Sequence, residues 1–299
     1  MIVKLQPSLK DYLWGGTKLK KLWGKQSELP RLAESWELSF CHHSPSVIAD
    51  GEHKGKPLFS VATLSDWGKN CNKFNLFPTL VKLIDADENL SVQVHPSDEF
   101  ALKKEGQLGK TEMWYVLDAE KDAVLYLGLN QNLSEQEFLR AVRQKEITRY
   151  LNEIPVRAGE TYFVPSGTLH AIGGGITLLE IQQNSTLTYR VYDFDRTDST
   201  GKNRELHLEK ALEVVDLQKY VVPNPSRESF LGGCEYFSAY KHVGKLQLKN
   251  DDSFTSLTVT DGQVFLNDLL LNKGETAFVS AGETADVFGD GCYVTVCVE

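Results

Sequence analysis

A chain of 299 residues is long enough for one large domain or two modest ones, each with its own core. Hydrophobic residues make up 41% and charged residues 24%, which excludes a disordered or fibrous protein and fits an ordinary soluble one. The formal charge of −9, with Lys and Arg dispersed, argues against a nucleic-acid partner. An anionic small ligand stays open, because charges beyond about 8 Å are screened at physiological salt and a few local cations can dominate a pocket.

No apolar run approaches the roughly 18 residues of a membrane span, and MIVKLQPSLKDYLWGG lacks a signal-peptide apolar region, so a cytoplasmic protein is expected. Short helices are expected after Gly16 and Pro96. Alternating, Gly- or Pro-bounded stretches at 90–95, 112–117, 123–129, 160–165, 176–182 and 187–194 predict short strands of the kind found in sandwiches and closed barrels. Between them SEQEFLRAVRQ at 134–144 predicts a helix, with Ser134 and Glu137 as a capping box and Phe138, Leu139 and Val142 as an apolar stripe. A second helix is expected over 207–216. VVPNPSRES at 221–229 then reads as a linker. The expected division is therefore 1–220, with a small helical insertion near 134–150, and 221–299, again a run of short strands. Cys41, Cys71, Cys234, Cys292 and Cys297 are an odd number without C-x-x-C spacing, and read as reduced thiols.

One stretch occurs twice. KGETAFVSAGETADVFGDG from 273 aligns on AGETYFVPSGTLHAIGGG from 158 without gaps, so that Gly159, Glu160, Thr161, Phe163, Val164 and Gly167 recur as Gly274, Glu275, Thr276, Phe278, Val279 and Gly282. The glycines are expected to supply positive-φ turns at strand ends in both copies. Ala285 stands opposite His170, so the second copy keeps the turn and lacks the histidine.

In LSVQVHP the two-residue period of a strand puts Ser91, Gln93 and His95 on one face; in GKTEMWYVL it aligns Lys110, Glu112 and Trp114. Polar faces on half-buried strands need a common purpose, since unpaired buried polar groups are costly. Imidazole nitrogens, a carboxylate and an amide oxygen suit a borderline divalent ion held between strands. A hydrogen-bonded strand residue is the plainer alternative for each of them taken singly.

Gly159, Pro165, Gly167 and His170 match the second motif of the cupin superfamily, G-x5-P-x-G-x2-H. Together with Q-x-H-P at 93–96, K-T-E at 110–112, STLTYRVYDFDR at 185–196, WGG at 14–16 and ESWELS at 34–39, the chain resembles type I mannose-6-phosphate isomerases, especially their short bacterial form. The resemblance implies a mainly β protein of two cupin-type jelly-roll barrels, with the helical insertion in the first. It implies a Zn2+ site of Gln93, His95, Glu112 and His170, Arg190 as active-site arginine, and a sugar-phosphate substrate converted through a cis-enediol. Gln93, where other cupins carry the first histidine of H-x-H, counts against an oxygenase. Lys110 is expected at the metal's side of the sheet, to contact phosphate or carry the proton, and Glu180 is the other candidate base. For Arg190 the plain alternative is a salt bridge to Asp193 or Asp195. The rival function is a non-catalytic sugar-phosphate-binding metal cupin.

Overall fold

The computed structural model describes residues 1–197 and 200–299. Short strands can bury apolar side chains only by stacking as layers, and the described residues do so in four antiparallel sheets. The five-stranded outer sheet runs Tyr189–Tyr192, Val92–Val94, His170–Ile172, Val124–Leu129, Leu151–Pro155. Facing it is a six-stranded sheet in the order Thr161–Val164, Glu112–Ala119, Ile176–Gln183, Thr79–Ala86, Glu34–Leu38, Ser8–Lys10. Leu125, Leu127 and Ile172 from the first meet Ile84, Val116 and Leu178 from the second in one buried core. These two sheets form the first jelly-roll barrel.

The second barrel pairs a seven-stranded sheet with a four-stranded one around Leu257, Val259, Leu266, Ala285 and Val287. Its larger sheet packs on the back of the six-stranded sheet. Phe237, Phe254, Phe278 and Val294 meet Leu83, Met113, Leu179 and Ile181 in a shared apolar layer. The six-stranded sheet is therefore buried on both sides, which is why Thr79–Ala86 and Ile176–Gln183 are buried at every residue. Residues Ile2–Gln6 and Val47–Ile48 run in the seven-stranded sheet, with Ile2–Gln6 paired to Thr276–Val279.

The expected helix forms over Glu135–Arg143, and both halves of its capping box are made: Glu137 N donates to Ser134 Oγ at 3.3 Å and Ser134 N to Glu137 Oε2 at 2.8 Å. Phe138, Ala141 and Val142 bury against the outer face of the five-stranded sheet, beside Val92, Val94 and Val191. With the 3-10 turn Ile147–Tyr150 it is the helical insertion of the first barrel. Leu208–Val214 is the second helix, and Lys18–Lys21 and Asp98–Lys104 are the short ones. No helix among the described residues is long and apolar enough to cross a membrane.

The repeated turns have the same backbone. Gly159 and Gly167 lie at φ +89° and +83°, and Gly274 and Gly282 at +84° and +81°, a region that side-chain-bearing residues rarely adopt. In the first copy Gly167 N donates to His95 O at 2.8 Å, which ties the turn before His170 to the strand that carries His95.

Candidate metal centre and cavity

Strand alternation turns the polar faces into the first barrel. Gln93 and His170 are direct register partners in the five-stranded sheet; opposite them, Glu112 and Trp114 stand on a strand of the six-stranded sheet. Across the gap His170 Nε2 lies 3.3 Å from Glu112 Oε1, and His95 Nε2 lies 3.5 Å from Glu112 Oε2. One ligand atom from each of His95, Glu112 and His170 falls within 4.8 Å of the other two, and all three residues are buried. Gln93 brings its amide to 3.3 Å from His170 Nε2. Rotating that amide exchanges its nitrogen for the oxygen a metal requires.

The surroundings fix which ring nitrogens face inward. His95 Nδ1 is 3.0 Å from Leu187 O and His170 Nδ1 is 2.8 Å from Thr168 O, so each ring donates backward to a carbonyl and leaves the Nε2 lone pair pointing at the cluster. Burial, and then the Lys110 ammonium, pull the His95 pKa down to about 3; burial lowers that of His170 too. Both rings are thus neutral near pH 7. Burial alone would raise the Glu112 carboxyl, but Lys110 and then His95 hold it well below the usual carboxylate range.

His95 Nε2 and both Glu112 oxygens are buried without an aligned hydrogen bond among the described residues. Lys110 Nζ comes to 2.7 Å of Glu112 Oε2, an ion pair by distance that does not align as a hydrogen bond. Three inward-facing donors left in that state cost several kcal/mol unless a cation occupies their midst. Two imidazoles, a carboxylate and an amide oxygen are the donor set of a borderline divalent metal.

The cluster lies beside a cavity of about 360 Å³ lined by Gln93, Lys110, Glu180 and Arg190, with Trp14, Trp36 and Leu90 among its apolar walls. Trp14, of the WGG motif at 14–16, is one of them. Lys110 is buried, not on the surface. Glu180 Oε1 accepts from Lys82 Nζ at 2.9 Å and Oε2 from Trp114 Nε1 at 3.2 Å. Arg190 pairs with neither Asp193 nor Asp195. Its Nη1 donates to Glu205 O at 2.8 Å, its Nε is buried without a partner among the described residues, and Asp195 is taken by Lys145.

Sequence reasoning missed Lys82, Glu34 and Arg204, which line the same cavity. Lys82 Nζ lies 3.7 Å from Glu34 Oε2; burial alone would lower its pKa, but Glu180 and then Glu34 hold it above the usual lysine value. The charged residues inside TLVKLIDA (Lys82 and Asp85) and ESWEL (Glu34 and Glu37) were the available signal, because a charge inside a fully buried strand persists only if paired. Five cations, Lys10, Lys82, Lys110, Arg190 and Arg204, line the cavity against the carboxylates Glu34 and Glu180, on a chain whose formal charge is −9.

A family model for the catalytic domain of type I phosphomannose isomerase matches residues 2–130. Mannose-6-phosphate isomerase of Streptococcus mutans is 36% identical over 284 residues, 91% of this chain and 90% of that protein. The chain belongs to the type I phosphomannose isomerase family. The crystal structure of mannose 6-phosphate isomerase from Bacillus subtilis is similar at TM-score 0.89 and 33% identity, covering 100% of this chain and 99% of that one. A zinc-bound mannose 6-phosphate isomerase shares the fold at TM-score 0.78 and 17% identity, covering 100% and 99%. The two barrels are accordingly those of the cupin-type family fold.

Proposed function

We propose that the protein is a zinc-dependent aldose-ketose isomerase that interconverts mannose 6-phosphate and fructose 6-phosphate through a cis-enediol. The observation that carries this is the buried His95, Glu112 and His170 donor set, turned inward without aligned protein partners beside a cation-rich cavity. Family membership supplies the substrate.

Gln93, His95, Glu112 and His170 would hold the zinc, which when bound supplies a Lewis acid for the sugar's carbonyl oxygen. Interconversion moves one proton between C2 and C1 and a second between O2 and O1, and one carrier on one face of the enediol suffices for the carbon-bound proton. We take Lys110 as that carrier; its Nζ lies 2.7 Å from Glu112 Oε2 and 3.8 Å from Glu180 Oε1, beside the cavity. Glu180 is the weaker candidate because both of its oxygens are engaged by Lys82 and Trp114. Arg190 presents a permanent planar cation, with an unpaired Nε, for the negative charge of the enediolate. Trp14, Trp36 and Leu90 keep water from the reacting carbons. We assign this chemistry to residues 1–220 and the support of the sheet's far face to 221–299. The five free cysteines fit a reducing cytoplasm.

A coupled assay of mannose 6-phosphate conversion tests it. Chelator-stripped protein should be inactive and recover with zinc, and Arg190→Ala should keep its metal while losing about 10²–10³ in kcat. Full turnover by protein verified metal-free would sink the zinc chemistry. Saturable binding of mannose 6-phosphate without product would replace the enzyme by a non-catalytic sugar-phosphate-binding barrel.

A further inference from the structure

Just past Arg190 the chain reverses through two consecutive non-glycine residues in the left-handed region, Phe194 at φ 54° and Asp195 at φ 56°. Such a turn is unfavourable for side chains larger than glycine's and persists only where surrounding contacts hold it. Here it brings Arg196 back onto Asp193: Arg196 N donates to Asp193 O at 3.1 Å and Nη2 to Asp193 Oδ1 at 2.7 Å. Arg204 closes on the same carboxylate from the other side, with Nε 2.7 Å from Oδ2 and Nη2 on Oδ1. Asp193 itself is only 5% exposed.

Three guanidiniums, Arg190, Arg196 and Arg204, share this corner with one buried carboxylate, leaving two positive charges among the described buried and half-buried side chains. Glu88, 4.0 Å from Arg196 Nη1, and Glu205 are solvent-exposed. Asp193 compensates one of the two guanidiniums it holds, so Arg196 and Arg204 together keep one positive charge, and Arg204 is fixed from behind through Nε and Nη2 with Nη1 directed away from that carboxylate. Lys82 and Lys110 are each paired with carboxylates on the other side of the cavity, one of them the metal-ligand candidate Glu112. Arg190 is the register partner of Gln93 and so stands at the metal end. Arg204 and Arg190 both line the main cavity and also an outer chamber of about 630 Å³.

We propose that Arg204 recognises the phosphate of the substrate and that Asp193, backed by Arg196, is its positioning residue. This rests on the isomerase proposal: with the reacting carbons at the metal end, the phosphate extends to the outer end. A phosphomonoester carries about −1.5 to −2 at pH 7, opposite in sign to the one net positive charge that Arg196, Arg204 and Asp193 keep beside Arg190.

The test uses metal-loaded protein, mannose 6-phosphate as substrate and inorganic phosphate as competitive inhibitor. Arg204→Met should raise the KM for mannose 6-phosphate and the Ki of phosphate by about 30-fold each, with a far smaller fall in kcat. Asp193→Asn should raise the same two constants about tenfold, and Asp193→Glu should recover part of that. Thermal melts of each variant separate this split from loss of fold. A KM and a phosphate Ki unmoved in folded Arg204→Met overturn the proposal and leave the isomerase standing. A wild type that makes no fructose 6-phosphate overturns the isomerase instead. Calorimetric titration of inorganic phosphate then decides the clamp: binding lost in Arg204→Met upholds it, and equal binding, or none to wild type, overturns it.

Discussion

The two barrels share a frame and differ in what fills it. The turn repeat aligns His170 with Ala285, and strand register extends the comparison. His170 pairs with Gln93 as Ala285 pairs with Leu248; Val164 pairs with Glu112 as Val279 pairs with Thr255. Trp114 and Glu180 likewise fall on Leu257 and Thr295. Thus Gln93, Glu112, Trp114, His170 and Glu180 in the first barrel are Leu248, Thr255, Leu257, Ala285 and Thr295 in the second. The second interior closes as a mostly apolar, uncharged core, whereas the first keeps a cavity and a set of buried charges. The frame therefore specifies strands and turns without specifying chemistry, which resides in inward-facing side chains on a common register.

The difference also explains how the first barrel sustains its charges. Glu112, Glu180 and Lys82 stand on one face of the six-stranded sheet, and the other face is sealed by the apolar layer of the second barrel. Side chains on a sheet packed from behind hold their positions. A buried ion pair stays net tolerable only with such fixed geometry.

The most severe way to break the contrast is to give the first barrel the residue of the second. His170→Ala removes one of three close ligands, so bound metal should fall to background by elemental analysis. Turnover should drop by at least about 10³-fold, the several kcal/mol that a Lewis acid contributes. Retained metal and activity would show that the cluster is not the site.

Most of this contrast was legible in the sequence because it lies on the surface-to-interior alternation of short strands. Gln93, His95, Lys110 and Glu112 were placed by period two alone, and the absence of His170's counterpart by a gapless repeat. What stayed hidden has a physical cause. Thr79–Ala86 is buried on both faces, which weakens its alternation, and it was not among the strands read from the sequence; Lys82 was overlooked with it. The pairing of Ile2–Gln6 with Thr276–Val279 is a contact across nearly the whole chain, which no local pattern carries. The rejection of the Arg190 salt bridge depended on a left-handed turn at Phe194 and Asp195, neither of them a glycine.

The reverse exchange sharpens the comparison at smaller cost. Ala285→His puts an imidazole into a mostly apolar core, where Leu248 and Thr255 stand in place of Gln93 and Glu112. It should destabilise the protein by about 2–3 kcal/mol through overpacking and an unpaired polar group, seen as a lower urea midpoint. Added zinc should raise that midpoint no more than it raises the wild type's. A gain specific to the variant would mean that one histidine suffices to found a site, and that the register argument fails.

The smallest effect tests the shared frame itself. Glu160 and Glu275 occupy equivalent places in the repeated turn and make the same contact, accepting from Arg157 N and Asn272 N at 2.8 Å each. Their cations differ, Arg227 at 2.7 Å in one and Lys4 at 2.6 Å in the other. Burial would raise both carboxyls, but the Arg227 contact on Glu160, and the Asn272 amide followed by Lys4 on Glu275, hold each below the usual value. For a carboxyl with a depressed folded pKa, the unfolded chain takes up the proton first. The contribution is therefore present above the ordinary carboxylate pKa of about 4.3 and lost as pH falls through the folded value. Glu160→Gln and Glu275→Gln should each cost about 1 kcal/mol in urea unfolding at pH 7, with the gap from wild type closing as the pH drops below about 4. Metal content should not move in either variant, because neither side chain faces the cluster. A Glu160→Gln protein that loses metal as His170→Ala does would tie this turn to the chemistry of the first barrel, and the separation of frame from function would then hold only for the second.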